Sequence, residues 1–200
     1  MLFEVICNSL QWDELMQQPA NIEWKKINTL HHASTAASAL FMLEDTIEVN
    51  AVPEDVPVFI HQPFKTLANL HCKKNVYKIN AWPSFLQSNH WEIMGAENAS
   101  IPAIFNALQK QFTFVQDAIG FVSTRVISMI INEAYFALQE NISTKEAINI
   151  AMKLGTNYPY GPFEWADKIG VTNIYKLLDA LSKTDLRYCP APLLGKNALL

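Results

Sequence analysis

The residues whose types and spacing best suit chemistry are a histidine and a glutamate two positions apart. His90 and Glu92 lie in the segment His-Trp-Glu-Ile, and on a β-strand residues two apart share a face. A carboxylate beside an imidazole fixes its tautomer and basicity, an arrangement suited to general acid–base catalysis. A histidine next to a tryptophan is more often a surface or half-buried residue than a catalytic base. A structural role for His90 is therefore the commoner interpretation.

The other histidines and the cysteines suggest no further chemistry. His31 and His32 are adjacent but have no cysteine or carboxylate at ligand spacing, so we expect a loop and no metal site. His61 and His71 are predicted to be solvated. The three cysteines are odd in number and lack a Cys-x-x-Cys spacing, which indicates neither a disulfide framework nor a zinc site; they are Cys7, Cys72 and Cys189.

The composition is that of a globular protein. Half of the 200 residues are hydrophobic and 17% are charged, so the chain can bury a core. A net charge of -4 provides no basic stripe for nucleic acid. The first ten residues carry no basic region typical of a signal peptide, and no apolar run reaches membrane length. The sequence therefore predicts a cytoplasmic protein that binds neither nucleic acid nor membrane.

The C-terminal half has the spacing and the caps of helices. Apolar residues recur every three or four positions over 126–138, which predicts a helix of about five turns. Ser143 and Glu146 form a predicted capping box for a second helix, and Gly155 is placed to end that helix in a left-handed conformation. Pro162 stands where the first turn of a third helix is expected.

The N-terminal half alternates short apolar runs with helical pieces, which favours an open α/β sheet. A helix after residue 8 should stop at Pro19, and a second is predicted over 102–112. We place the boundary between two domains near 116–120, giving 1–116 and 117–200. The predicted strands are Phe3–Cys7, Ala39–Leu43, Val56–Ile60, Val76–Ile79 and Phe112–Val115.

Ordered motifs connect the C-terminal half to a known family. They are Asp-x-x-Gly-Phe-Val-x-x-Arg over 117–125, Asn-Glu-Ala over 132–134, Ala-Met-Lys-Leu-Gly over 151–155, Tyr-Pro-x-Gly-Pro-Phe-Glu over 158–164 and Pro-x-Pro-x-Leu over 190–194. This half resembles the C-terminal helical domain of the L-3-hydroxyacyl-CoA dehydrogenases. The resemblance implies a trimmed Rossmann-like α/β part followed by an all-α domain of the 6-phosphogluconate dehydrogenase C-terminal-like type. It also implies a homodimer through the helical domain, an acyl-CoA ligand and NAD as cofactor.

The resemblance assigns roles in the family's active site to individual residues of this sequence. Glu92 takes the place of the family's orienting glutamate, and twelve residues earlier Asn80 stands where the catalytic histidine is expected. A shift of one residue would put Ile79 there instead. Thr124 replaces an asparagine that supports the site at the start of the helical domain. The segment 48–55 is similar to the family's Glu-Ala-Val-Pro-Glu-Asp, which nominates Glu54 for the nicotinamide ribose.

The glycines needed to hold a dinucleotide are missing. A Rossmann fingerprint places glycines after the first strand, so that backbone N–H groups approach the pyrophosphate closely. Here the first glycine is Gly95, and the first strand leads into Cys-Asn-Ser-Leu-Gln-Trp over 7–12. We expect Leu10 and Trp12 to crowd the phosphate position.

The sequence thus leaves three hypotheses open. The favoured one is a degenerate family member that keeps the helical dimerisation domain, and in part an acyl-CoA cleft, without the NAD loop or the catalytic histidine. The alternative is active NAD-dependent oxidation of L-3-hydroxyacyl-CoA in fatty-acid metabolism, with His90 as the substitute base. A third is one subunit of a split system whose partner binds the cofactor.

Overall fold

The computed structural model describes residues 1–17, 22–44 and 52–199. The predicted helix stop at Pro19, and residues 48–51 of the segment that nominates Glu54, lie outside the described residues. The chain divides into two compact units, Met1–Phe121 and Val122–Leu200. The first unit is an α/β structure and the second is helical, as the sequence predicts.

The first unit is built on one seven-stranded sheet with the strand order β2-β1-β3-β4-β5-β6-β7. Neighbouring strands are parallel except for β5 and β6, which are antiparallel. Two helices accompany the sheet, α1 (Ser9–Met16) and α2 (Ile101–Leu108). The strands are β1 Leu2–Ile6, β2 Glu23–Lys26, β3 Ala39–Met42, β4 Val58–Ile60, β5 Val76–Ile79, β6 His90–Met94 and β7 Gln111–Phe114.

A row of aromatic rings forms the core on one face of this sheet. Phe41 and Phe59 are direct partners on β3 and β4, and their rings stack with 4.8 Å between centroids. Phe3 on β1 and Tyr77 on β5 extend the row at 5.6 and 5.4 Å, and Phe105 of α2 covers Phe59 edge-on. Because such cross-strand pairs stabilise a fixed register, the row holds four parallel strands with their carboxyl ends at the same edge.

The second unit consists of five α-helices, with one short 3-10 helix at Leu186–Tyr188. The buried amide of Asn132 ties α3 to the segment before α7, because it donates to the carbonyl oxygen of Cys189 and accepts from the N–H of Ala191. No helix in the described ranges is long and apolar enough to cross a bilayer. The helices are α3 Val122–Gln139, α4 Lys145–Thr156, α5 Pro162–Ile169, α6 Val171–Ser182 and α7 Pro192–Ala198.

Both capping residues of α4 lie further along the chain than the sequence predicts. Thr144, and not Ser143, is the N-terminal cap, and its hydroxyl accepts from the N–H of Ala147. The helix continues through Gly155, and Asn157 takes the left-handed conformation with φ 55°. Asparagine tolerates this conformation better than most residues, so the glycine is not needed there. The predicted start of α5 at Pro162 is confirmed.

Three elements of the α/β unit differ from the sequence prediction, and one of them is β6, which is not among the predicted strands. The edge strand β2 was not predicted, because three of its four residues are exposed and two are lysines, a composition typical of protected sheet edges. Helix α2 ends at Leu108 rather than at residue 112, since Gln109 adopts a left-handed conformation with φ 56°. The chain therefore turns earlier, and β7 begins at Gln111.

Lys78 is a fully buried cation that holds loop backbone against β5. Its Nζ donates to the carbonyl oxygens of Lys65 and Ala118, at 2.8 and 2.7 Å, and to Oδ1 of Asp117 at 3.2 Å. Removing one partner of a buried ion pair is costly because the other charge stays desolvated. The N-terminal unit thus keeps residues 117–118 beside its sheet through one side chain.

We expect Lys78→Met to lower the free energy of unfolding by about 3 kcal/mol, because Asp117 and two carbonyls lose their donor. Equilibrium urea unfolding measures this. The control is Lys183→Met, which removes an exposed ion pair with Asp179 and should change stability by less than about 0.5 kcal/mol. Equal effects of the two substitutions would contradict the assigned role of Lys78.

Candidate functional site

The polar side chains of the α/β unit gather at the carboxyl edge of its sheet. β1 has β2 on one side and β3 on the other, so the chain reverses its direction of travel across the sheet at β1. In open α/β sheets, ligands bind in the crevice outside the carboxyl ends of the strands at such a switch point. The residues that follow β1, β3, β4 and β5 therefore define the candidate site.

Helix α1 begins at this crevice, and its own side chains already bind two of the backbone donors there. Oδ1 of Asn8 accepts from the N–H of Gln11 at 2.9 Å, and Oε1 of Gln11 accepts from the N–H of Asn8 at 3.1 Å. This capping box satisfies N–H groups that a helix start otherwise offers to an anion. A phosphate at this position would have to displace both side chains.

The rest of the Gln11 side chain fills the crevice itself. Its Nε2 donates to the carbonyl oxygen of Leu43, beyond β3, at 2.8 Å and to that of Ala81, beyond β5, at 3.2 Å. One amide thus spans the end of β4, which lies between those strands, and Gln11 is only 7% exposed. Leu10, by contrast, is 65% exposed, and Trp12 packs against the core. The residue that occupies the crevice is therefore Gln11.

The neighbouring polar groups at this edge are also bound to the protein itself. His61, directly after β4, is buried, which makes the prediction of a solvated histidine wrong. Its Nδ1 lies 3.1 Å from the N–H of Ala81, which donates to it, and 3.3 Å from the carbonyl oxygen of Ile79. Oε1 of Glu14 accepts from the N–H of Ser84.

A thiol also lies at this edge. Cys7 follows β1 directly and is buried. Burial raises the pKa of the Cys7 thiol to about 11, so the nucleophilic thiolate form is scarce at neutral pH.

Two of the carried-over positions lie side by side. β5 and β6 pair with Lys78 opposite Met94 and Ile79 opposite Ile93, and one further step of this antiparallel register sets Asn80 opposite Glu92. Opposed residues on one face lie close enough for their side chains to interact. Oδ1 of Asn80 accepts from the N–H of Trp82. Asn80 thus carries an amide, which cannot act as a base, at the position where the resemblance implies the catalytic histidine.

His90 and Glu54 lie elsewhere in the α/β unit. The ring of His90 is exposed, and its Nε2 lies 2.9 Å from the hydroxyl of Thr113 on β7. Glu54 is exposed and pairs with Lys73, whose hydrogen bond lowers the pKa of that carboxyl group. Both Glu54 and Lys73 precede parallel strands, so they lie at the amino edge, opposite the crevice. Thr124 is fully buried in α3 of the helical unit.

The described residues contain no cluster of histidine, cysteine and acidic side chains that could hold a metal ion. His31 and His32 lie in a short 3-10 helix rather than in an irregular loop, and neither is buried. No metal chemistry is therefore assigned to this part of the chain.

The fold and the crevice define a protein class: a Rossmann-like α/β domain followed by an all-α domain. Residues 120–197 match the family model described as 3-hydroxyacyl-CoA dehydrogenase, C-terminal domain. The chain is 40% identical over 108 residues to 3-hydroxyadipyl-CoA dehydrogenase of Escherichia coli K12, a match that covers 52% of this chain and 23% of that protein. A probable 3-hydroxybutyryl-CoA dehydrogenase of Bacillus subtilis is 39% identical over 98 residues, covering 48% of this chain and 34% of the relative.

A solved structure shows the same fold. The (S)-3-hydroxybutyryl-CoA dehydrogenase PaaH1 from Ralstonia eutropha aligns with a TM-score of 0.71 over 86% of this chain and 69% of that chain, at 21% identity. Residues 120–197 belong to the 3-hydroxyacyl-CoA dehydrogenase C-terminal domain family, and the predicted resemblance of this half of the chain is confirmed. The sequence matches span only about a quarter to a third of the two curated relatives.

The residues at the crevice do not fit the NAD that this family implies. A dinucleotide needs backbone N–H groups at the start of the first helix and open space beside them. Here Asn8 and Gln11 bind those N–H groups, and the Gln11 amide occupies the space. We therefore assign no hydride-transfer step to this crevice.

The sequence interpretation did not single out Gln11, although a signal for it exists. An asparagine followed three positions later by glutamine is the pattern of a capping box, and Asn8 and Gln11 have this spacing. The second role of Gln11, across residues 43 and 81, has no local signal because it joins positions 32 and 70 residues away.

We expect Gln11→Ala to lower the free energy of unfolding by about 2 kcal/mol, because two buried carbonyls lose their donor and a cap is broken. Chemical denaturation measures the change. Gln87→Ala is the matched control, since Gln87 is exposed and forms only a 3.4 Å contact with Gln17. If the two variants are equally stable, the Gln11 amide does not support the crevice.

Proposed function

We propose that this protein is a non-catalytic member of the 3-hydroxyacyl-CoA dehydrogenase family whose helical domain serves as a homodimerisation module. The observation that carries the proposal is the Gln11 amide across the carboxyl edge of the sheet. A side chain that satisfies buried carbonyls in the nucleotide crevice is costly to displace, since those carbonyls would lose their hydrogen bonds. The crevice thus supports folding rather than cofactor binding.

The site positions support the same conclusion. Asn80, where a histidine is expected, cannot act as a base, and loss of a general base typically costs 10² to 10⁴-fold in rate. The exposed ring of His90 pairs with the hydroxyl of Thr113, not with a carboxylate that would raise its basicity. Neither residue replaces the missing base.

A second candidate function is NAD-dependent oxidation of a 3-hydroxyacyl-CoA in fatty-acid metabolism. The observation in its favour is the register of β5 and β6, which keeps Glu92 beside Asn80. The buried imidazole of His61 also contacts the backbone on both sides of Asn80. The relatives that match this chain are named as dehydrogenases of CoA esters.

The dimer proposal rests on helix α4, none of whose residues is buried. One side of α4, with Ile148 and Met152, lines a groove of about 240 Å³ together with residues of α3 and α5. Another face is apolar and exposed; its residues are Ala147, Ile150, Ala151 and Leu154. Their spacing of three and four forms one stripe along the helix. A contiguous exposed apolar stripe marks a protein contact, and a second copy of this chain fits it because the stripe can pair with itself about a two-fold axis.

We expect a calorimetric titration of the protein with NADH to show no binding up to millimolar concentrations, because the crevice is filled. The same titration with acetyl-CoA, in the same buffer, separates a role in CoA-ester binding from a role in assembly alone. A micromolar dissociation constant for NADH would contradict the proposal and favour the dehydrogenase. In that case Glu92→Ala should reduce turnover by orders of magnitude.

We expect Leu154→Asp to convert the dimer to a monomer in sedimentation or light-scattering measurements, since a charge would be buried without a partner in the apolar stripe. Leu186→Asp is the control, because Leu186 has the same 83% exposure but lies outside α4. A monomeric protein before substitution, or an unchanged mass for Leu154→Asp, would exclude dimerisation through this face.

A further inference from the structure

Lys110 is a nine-tenths buried lysine in the short turn between α2 and β7. It is 9% exposed. Its Nζ donates to the carbonyl oxygen of Ser88 at 2.5 Å and lies 5.2 Å from the centre of the Trp91 ring. The backbone brings it there because Gln109 takes a left-handed conformation at the end of α2.

No carboxylate of the described residues pairs with Lys110. Five other lysines form ion pairs with acidic side chains: Lys25, Lys73, Lys78, Lys153 and Lys183. An ammonium ion that is desolvated without a counter-ion is destabilised relative to the neutral amine. Burial accordingly lowers the pKa of Lys110 to about 8. A desolvated lysine in a cleft has the properties of a nucleophilic amine.

The cleft is a cavity of about 740 Å³ in the α/β unit, large enough for a small organic molecule. Among the described residues, its walls carry carboxamide groups and no acidic side chain; besides Lys110 they include Gln17, Gln87, Asn89, Gln109 and Gln111. Carboxamide N–H groups can donate to a carbonyl oxygen and to the oxyanion that forms when a nucleophile attacks it. The walls thus suit a neutral, polar acyl compound.

We propose that Lys110 is a nucleophilic lysine that accepts an acyl group from a thioester bound in this cavity. The neutral amine attacks the thioester carbonyl carbon, so that an N–C bond forms and the C–S bond breaks. The thiolate leaves and takes the proton that the nitrogen loses, and the products are an amide on Lys110 and a free thiol. The choice of a thioester rests on the proposed family membership, because the relatives are named as dehydrogenases of CoA esters, whereas the nucleophile rests on the burial of Lys110 and on the cavity beside it.

The test is acylation of the native protein by a nucleotide-free acetyl thioester, S-acetyl-N-acetylcysteamine, followed by peptide mass mapping. This probe needs no CoA site and no dimer, so NADH binding or a monomeric protein would overturn the proposed function without affecting this result. At pH 7 roughly a tenth of amines with a pKa of about 8 are neutral, against fewer than about one in a thousand for an ordinary lysine. We expect Lys110 to be acetylated at least about tenfold faster than Lys74, which is exposed.

The pH profile gives a second readout. Acetylation of Lys110 should rise up to about pH 8 and level off by about pH 9, whereas acetylation of ordinary lysines keeps rising to about pH 10. Unfolding in urea should abolish the difference, and Lys110→Arg should remove one fast-forming acetyl group from the intact mass. Equal rates for Lys110 and Lys74 in the native protein, or an advantage that persists in urea, would overturn the proposal.

Discussion

The carboxyl edge of the α/β unit depends on one amide group. The Gln11 side chain binds the start of its own helix and two carbonyls beyond β3 and β5. These carbonyls are buried, and a buried acceptor without a donor costs about 1–3 kcal/mol. The same contact that stabilises the edge excludes a ligand from it. A crevice filled by its own protein is thus a stability element, in a sheet whose first strand is followed by no glycine loop.

The aromatic row beneath this edge makes the arrangement possible. Phe3, Phe41, Phe59 and Tyr77 fix four neighbouring strands in register, so that the segments after β3, β4 and β5 emerge at the same edge of the sheet. Gln11 then needs only one side chain to reach two of them. In the helical unit Asn132 has a similar role, since its amide both donates to Cys189 and accepts from Ala191. In both units a buried amide joins segments far apart in sequence.

Lys78 and Lys110 show how the surroundings of a buried lysine determine its role. Lys78 is fully buried, but a carboxylate and two carbonyls bind its ammonium group. It is therefore a structural cation. Lys110 is slightly more exposed and has one carbonyl and a tryptophan ring. Without an anion among the described residues, its neutral form is more populated than in an ordinary lysine, and a cavity lies beside it. Similar burial therefore gives a structural tie in one case and a candidate nucleophile in the other.

The sequence by itself determined the helical character of the C-terminal unit, the start of α5 at Pro162, the family, and the absence of a glycine loop. These properties depend on local spacing, because caps, turns and motifs join residues a few positions apart. Only the tertiary structure decided that Gln11 fills the crevice, that His61 is buried, that Glu54 lies at the opposite edge, and that Lys110 lacks an anion. Each of these depends on strand order and register, which bring together residues tens of positions apart, and no short pattern in the sequence records that proximity.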